Sequence, residues 1–409
     1  MNFKGVNINR LQGGLGRQAA NTDSVLALAV VADFSGTDLT VGTPVKLIQP
    51  EDAEAYGIDE AFDANESSLA HYHITEFFRL APEGTLYLIP LSDTDTVATM
   101  HTALVPILKA NQDIKGLGVV GTASVISELE DLVEGVQTNL VDALFAGHRY
   151  LDFVLLEGNG DEEEPFATIA AYPDFRAKNA PQVSVVIAQD PAIAETDEAY
   201  SGHAGVGSVL GMIAVRKVNE NAGSVNIQNK PDGAKGTADY PLTGNGRWES
   251  AQLSTGKPIS ELSYADYKAL ADKGYIVAGA YSGYAGIFLN GSATCVNIAS
   301  DYAYIENNRV WNKAARGIRK ALLPEVKGVV KKDPQTGFIK STTISRWEGI
   351  AGKPLDQMLA DGEISGYDIY INPQQSLSND ESLKVKARVV KDDIVHEFDV
   401  DLGLAKNLS

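Results

Sequence analysis

Short apolar runs alternate with segments of helical periodicity through the middle of the chain, and this alternation constrains the fold most. Runs of strand length occupy residues 86–91, 116–120, 152–157 and 183–188. Segments with helical spacing occupy residues 97–109, 123–145, 166–172 and 205–217. Strands and helices that alternate at this spacing form a parallel sheet covered by crossover helices. The sequence therefore predicts an α/β fold with a layered strand and helix core.

The flanking segments extend this core on both sides. Residues 25–32 form a continuous apolar run, which predicts a buried strand, and 45–48 predict a shorter one. Helices are expected at 51–56, at 69–80 and, after Ser263 as N-cap, at 264–273. Strands at 275–280 and 285–289 are expected to pair. Residues 218–247 are rich in Asn, Gly and Pro and predict a long surface loop.

Three parts follow from these patterns: a polar, Gly-rich N-terminal segment (1–22), an α/β core domain (23–300) and a C-terminal α+β domain (301–409). The chain of 409 residues is 44% hydrophobic and 22% charged, as expected of a globular protein. Its formal net charge of -20 argues against a nucleic-acid partner. No apolar stretch is long enough to span a membrane, and the N-terminus lacks the apolar core of a signal peptide. The single cysteine, Cys295, excludes an internal disulfide and suits a reducing cytosol.

No residue pattern points to catalysis. The six histidines are scattered without metal-ligand spacing. Gly13, Gly14 and Gly16 lack the strand and helix of a phosphate loop, and Gly207 and Gly211 lie in a helical pattern where small residues permit close packing. Cys295 has apolar neighbours, which favours a buried structural thiol. We therefore expect no enzyme activity, no cofactor and no bound metal.

A basic amphipathic segment opens the C-terminal domain at 306–323. On a helical wheel, one face is apolar and is formed by Trp311, Ala314, Ile318 and Leu322. The opposite face carries four cations, Arg309, Lys313, Arg316 and Lys320. This basic stripe is either a solvated helix face or a docking surface for an acidic partner. A second helical stretch is expected at 354–359.

Two runs with strand alternation end the chain, at 383–390 and 394–402, and residues 391–393 form a turn between them. In the first run the residues of one face are Leu383, Val385, Ala387 and Val389. In the second they are Ile394, Phe398, Val400 and Leu402, interrupted by His396. This pattern predicts a hairpin. Either it closes its own sheet, or its last strand is donated to the sheet of a neighbouring subunit.

Four stretches carry a family resemblance. They are residues 5–17 with the apolar run after them, 210–229, 275–302, and the region from 309 onward, including PLDQMLADGEISGYDIYINP at 354–373. Together they resemble contractile tail sheath proteins, which include phage tail sheaths, R-type pyocin sheaths and the sheaths of related contractile injection systems. The chain is short and lacks the longer Phe-Glu-Pro-Asn type motif after the basic helix. In both respects it is similar to the compact sheaths.

The resemblance implies a structural subunit that polymerises around an inner tube and contracts to drive it through a target envelope. Terminal arms would add strands to neighbouring subunits: Val6 and Ile8 at one end and the strand at 394–402 at the other, with 383–390 as the receiving strand. Further partners would be baseplate and terminator proteins, in the cytoplasm of the producing bacterium or in the released particle tail. From the charge contrast, we expect the basic stripe to face the tube. The alternatives are a soluble α/β enzyme or ligand-binding protein, or another self-assembling shell subunit.

Overall fold

The computed structural model of the protein describes residues 22–66, 68–160, 168–231, 239–375 and 382–404. The predicted arm strand with Val6 and Ile8 lies outside these residues. The strands, in chain order, are β1 Val25–Val31, β2 Val45–Leu47, β3 Thr85–Leu91, β4 Gly116–Val120, β5 Phe153–Glu157, β6 Asn179–Ala180, β7 Val183–Val186, β8 Ala188–Gln189, β9 Gln252–Leu253, β10 Tyr275–Ile276, β11 Ala278–Ala280, β12 Ile287–Leu289, β13 Cys295–Val296, β14 Gly366–Ile371 and β15 Val385–Val390.

A seven-stranded sheet in the order β10-β7-β5-β4-β1-β3-β2 forms the centre of the molecule. All of its neighbouring pairs are parallel except β2, which runs antiparallel to β3 at the edge. Every residue of β1, β4 and β5 is buried, because both faces of a parallel sheet are covered. The predicted α/β class and the layered core are thus confirmed.

Helices cover both faces of the sheet. In chain order they are α1 Pro50–Glu54, α2 Glu60–Glu66, α3 Ala70–Leu80, α4 His101–Ala110, α5 Ile126–Val136, α6 Ala143–Ala146, α7 Pro191–Ala194, α8 Val206–Ala214, α9 Tyr264–Asp272, α10 Ile305–Leu322 and α11 Ser341–Ala360. Helices α3 and α8 share one apolar cluster with alternate residues of β1. Helices α4 and α5 pack on the other face. A π-helical segment, Gln137–Asp142, joins α5 to α6, so the helix expected at 123–145 is one run with an irregular centre.

Helices α3 and α8 approach closely because two glycines lie at their contact. A Cβ at Gly207 would lie 2.2 Å from the His73 carbonyl oxygen, and one at Gly211 would lie 2.9 Å from the Leu80 Cβ. No larger residue fits without moving a helix backbone. The prediction that small residues here serve close packing is confirmed.

The segments after α8 also agree with the sequence pattern. Between α8 and β9, isolated bridges are the only sheet contacts within the described residues, as expected of a long loop. Helix α9 begins with a capping box between Ser263 and Asp266. The pairing of β11 with β12 matches the expected strand pair, although β10 instead extends the main sheet. Cys295 is buried, as predicted.

The C-terminal unit (residues 305–404) packs α10 and α11 around a small core that includes Val310, Ala314, Leu355 and Met358. Helix α11 has 20 residues, far more than the 354–359 expected, and Pro354 lies inside it. The predicted hairpin is wrong for this single chain. Strand β15 pairs antiparallel with β14, in a register from Gly366 opposite Val390 to Ile371 opposite Val385, and 394–402 form no strand.

Candidate assembly surfaces

Arg309, at the start of the predicted basic stripe, is a buried anchor. Its side chain is 2% exposed and donates hydrogen bonds to the carbonyl oxygens of Ile213 (3.4 Å), Arg216 (3.3 Å) and Lys217 (3.1 Å). The Ile213 carbonyl lies in the last turn of α8 and the other two lie just after the helix, where a cation satisfies acceptors and interacts favourably with the helix dipole. Burial lowers the pKa of the Arg309 guanidinium, and nearby carboxylates, among them Asp152 and Asp23, offset part of this effect.

Lys313, one turn further along α10, bridges two carboxylates. Its Nζ lies 2.6 Å from Asp23 Oδ2 and 2.6 Å from Glu363 Oε1. Burial lowers the pKa of Lys313, but the two carboxylates raise it more, so its pKa lies above the ordinary value. Burial also raises the pKa of Glu363, which Lys313 lowers only in part. The bridge joins the start of β1, helix α10 and the turn before β14.

The third cation pairs with the core as well. Arg316 Nη1 lies 2.6 Å from Asp152 Oδ1, and Asn312 donates to the Leu151 carbonyl at 2.9 Å. Asp23 and Asp152 precede β1 and β5, so the cationic face of α10 lies across the amino ends of the parallel strands. Arg309, Lys313 and Arg316 thus each pair with groups of the same chain, so their charges are not free to form the tube-facing stripe that the sequence led us to expect. Lys320 alone of the four is exposed.

The hairpin of β14 and β15 presents an open edge. Leu383, Val385 and Val389, of the predicted receiving face, pack against the α11 side of the unit, whereas Ala387 is exposed. Among the described strands, β15 pairs with β14 alone, so the main-chain groups of its outer edge have no strand partner there. A two-stranded sheet is only marginally stable by itself, and such an edge is a template for a further strand.

The segment after β15, residues 391–404, carries apolar side chains that its own fold scarcely covers. Phe398 is 83% exposed, Val400 74% and Leu402 92%, whereas Ile394 is half-buried. In the part of this segment that the structure describes, no residue belongs to a strand. Exposed apolar residues in such a row are typical of an interaction surface.

The carboxyl ends of the strands, where α/β enzymes commonly hold ligands, are closed by a buried clasp. Glu157, 1% exposed, accepts hydrogen bonds from His203 Nδ1 (2.9 Å) and from the Gly121 amide (3.0 Å). His73 Nε2 lies 3.8 Å from the same carboxylate. Burial raises the pKa of Glu157, but His203 and His73 lower it further, so the pKa lies well below its usual range. The group acts as an internal link between α3, β5 and the segment before α8.

The sequence predicts scattered structural or surface histidines, and His73 and His203 lie far apart along the chain. Only the fold brings them together. Among the described residues, no group of three or more His, Cys, Asp or Glu side chains is arranged to hold a metal ion. Within the same ranges, every helix is too short or too polar to cross a bilayer.

A parallel α/β sheet joined to a helical unit with an open hairpin is a fold that this chain shares with proteins of contractile injection systems. Two solved structures match it over nearly the full length. A chain of the anti-feeding prophage (AFP) baseplate is 16% identical with a TM-score of 0.61, covering 99% of this chain and 99% of that one. A chain of the sheath complex of the PVC extracellular contractile injection system, in its contracted state, is 14% identical with a TM-score of 0.59, covering 100% and 98%.

The family itself is given by sequence. The model of the DUF2586 N-terminal domain matches residues 3–292, and that of the DUF2586 C-terminal domain matches 301–409. The chain belongs to the DUF2586 family. A search of curated proteins finds no match.

Proposed function

We propose that this protein is the structural subunit of a contractile sheath, which polymerises around an inner tube and contracts to drive the tube through a target envelope. The fold supports this proposal, because it matches a chain of a contracted sheath complex from end to end. The buried clasp at the carboxyl edge of the sheet and the interior use of the basic stripe fit a mechanical role better than a chemical one.

The observation that carries the proposal is the apolar periodicity of the C-terminal segment beside an open sheet edge. Phe398, Val400, Leu402 and Leu404 share one parity and are each at least 74% exposed. When the segment is added as a strand to the β15 edge of a neighbour, these four side chains would be buried together on one face of the new strand. Each buried side chain of this size stabilises a contact by about 1.5–3 kcal/mol, and the new ladder adds main-chain hydrogen bonds.

The N-terminal arm is proposed to act in the same way through Val6 and Ile8. Asp23, at the root of that arm, is held by Lys313 beside the C-terminal unit. Both arms would therefore leave the molecule near the same unit. Strands exchanged by both arms would keep the subunits connected while stacked rings of subunits move closer together. Each subunit would gain contact area in the contracted state.

The inner tube, baseplate and terminator proteins are the partners expected of such a subunit, with the assembly in the cytoplasm of a producing bacterium or in a released particle. Because Arg309 is buried and Lys313 and Arg316 are paired with carboxylates of the same chain, the stripe is not proposed to contact the tube. A mechanical role of this kind needs no cofactor and no nucleotide hydrolysis by this chain.

Electron microscopy of the purified protein tests the proposal. We expect hollow, ridged cylinders from the full chain and none from chains that lack 394–409 or 1–9. Circular dichroism should show that both truncated chains stay folded, because the described core contacts lie within 22–390. A soluble enzyme would give small particles of fixed size. Small particles from the full chain, or unchanged cylinders from both truncated chains, would contradict the proposal.

A further inference from the structure

A groove with aromatic walls lies between α9 and the β11–β12 hairpin. Together with residues 395–398, these elements bound a space of about 740 Å³, and the aromatic side chains of its walls include Tyr264, Tyr267, Tyr281 and Phe288. Tyr264 is 74% exposed and Tyr281 50% exposed, which is unusual for large apolar rings on the surface of a folded domain. The groove lies beside β10, at one edge of the main sheet.

The C-terminal segment of the same chain lies against this groove. Residues Val395, His396, Glu397 and Phe398 line it. The His396 ring stacks on Tyr304, with ring centroids 4.8 Å apart and planes inclined by 24°. Just before this contact, the Asp392 carboxylate accepts hydrogen bonds from Asn219, at 2.7 Å, and from Ser365. Anchored at Asp392, the segment is thus turned away from the β15 edge and toward the α/β core.

The contact is light. Val395 remains 64% exposed and Phe398 83% exposed although both border the groove. One ring stack contributes about 0.5–1.5 kcal/mol beyond the area it buries. A segment held this way stays on its own molecule when no better site is near, and it leaves readily when a neighbour offers a full strand ladder.

We propose that the groove between α9 and the β11–β12 hairpin is a resting cradle for residues 395–398 of the same chain, which form one of its walls before assembly and leave it when the segment is donated. This inference rests on the proposed function, since donation is part of it. The cradle would delay assembly, because an intramolecular site competes at an effective concentration of order millimolar.

Chemical cross-linking of unassembled protein tests the cradle. Ser282→Cys with Glu397→Cys places one thiol on each side of the groove and leaves its aromatic walls intact. Native Cys295 is buried and does not compete. With a short bismaleimide linker, we expect a single-chain product of altered mobility on a denaturing gel. No such product, or only products of two or more chains, would overturn the proposal.

A matched pair uses Val41→Cys with Glu397→Cys. Val41 is exposed and lies just before β2, at the far edge of the seven-stranded sheet. Strands are spaced about 4.8 Å apart, so this thiol lies too far from the groove for a short linker. Single-chain product at equal yield from the control pair would mean that the segment samples the whole surface, and it would contradict a cradle.

A cleavable linker then tests whether the segment must leave. The linked Ser282→Cys, Glu397→Cys chain should lose cylinder formation and recover it on cleavage, whereas the unlinked variant assembles throughout. Normal cylinders from fully linked chain would overturn the inference while leaving the sheath proposal standing. Failure of the sheath proposal looks different, because the unlinked full chain would then form no cylinders.

Discussion

Lys313 is the side chain on which three parts of the chain converge. It extends from α10 and pairs with Asp23 before β1 and with Glu363 before β14. Its side chain is 24% exposed, and those of Asp23 and Glu363 are 8% and 7% exposed. Removing the cation would leave two nearly buried carboxylates facing one another, so the penalty comes from the uncompensated charges more than from the lost attraction.

We therefore expect Lys313→Met to lower the free energy of unfolding by about 3 kcal/mol. Urea unfolding followed by circular dichroism measures this loss. Lys320→Met, an exposed lysine on the same helix, is the control and should change stability by less than about 0.5 kcal/mol. Equal effects of the two substitutions would show that the bridge does not join the units as described.

Glu157 gives the stability a dependence on pH. Because its folded pKa lies below the ordinary value of 4.5, the folded state holds its proton less tightly than the unfolded state. The stability it contributes is therefore complete above that ordinary pKa and is lost as the pH falls toward the folded pKa.

Glu157→Gln should consequently cost about 2 kcal/mol at pH 7, and the difference from the unchanged chain should shrink as the pH falls below 4.5. Urea unfolding at a series of pH values tests this, with exposed Glu83→Gln as the control that shows no such trend. A difference that stays constant with pH would argue that the clasp does not depend on the carboxylate charge.

At this scale, the sequence predicted a cationic face but not its surroundings. Periodicity places Arg309, Lys313 and Arg316 on one side of a helix. It does not say what that side meets, because Asp23 and Asp152 lie 290 and 164 positions away from their partners. Which charges are neutralised inside the fold depends on such distant pairs, and no local sequence pattern contains them.

At the scale of elements, the close contact between α3 and α8 depends on the absence of a side chain. At Gly207 of α8, a Cβ would meet backbone atoms of His73 in α3, with the nearest at 2.2 Å. Backbone cannot rotate away as the end of a side chain can, so one of the two helices must move.

We expect Gly207→Ala to destabilise the fold by about 1–3 kcal/mol, measured by thermal or urea unfolding. Gly349→Ala is the matched control, since Gly349 is an exposed position of α11 where a Cβ would meet nothing within 4 Å. There the same substitution should stabilise the helix by up to about 1 kcal/mol. A neutral Gly207→Ala would mean that α3 and α8 are not in close contact.

The strands of the main sheet were predictable because each is a continuous apolar run, as a strand buried on both faces must be. Two elements of the C-terminal unit were less so. Pro354 suggested a helix start, whereas α11 already runs through thirteen residues before it. Strand β14 was missed because its burial is mixed along its length, with Ile371 buried and Tyr370 exposed.

For the whole molecule, the two ends of the chain decide how far a single copy represents the working state. The core and the C-terminal unit are joined by buried ion pairs, whereas residues 394–404 leave a row of apolar side chains largely in solvent. Sequence periodicity predicted this strand-forming pattern, but not that β14 would take its place beside β15. Under the proposed function, the partner of this segment is a strand of a second copy, and no local pattern of one chain specifies that pairing.

The alternation of side chains along the C-terminal segment distinguishes a donated strand, which buries one face, from a tail that binds non-specifically through all its apolar residues. If the segment docks as a strand, the face with Phe398, Val400 and Leu402 is buried and the face with Val395 is not. Val400→Asn should then lose about 1.5 kcal/mol or more per contact, which raises the protein concentration needed for cylinders about tenfold. Val395→Asn, the same exchange on the other face, should not raise this concentration, because the contact that Val395 makes is with the groove of its own chain. Sedimentation of cylinders across a dilution series measures this threshold, and equal shifts for both variants would rule out a one-faced strand.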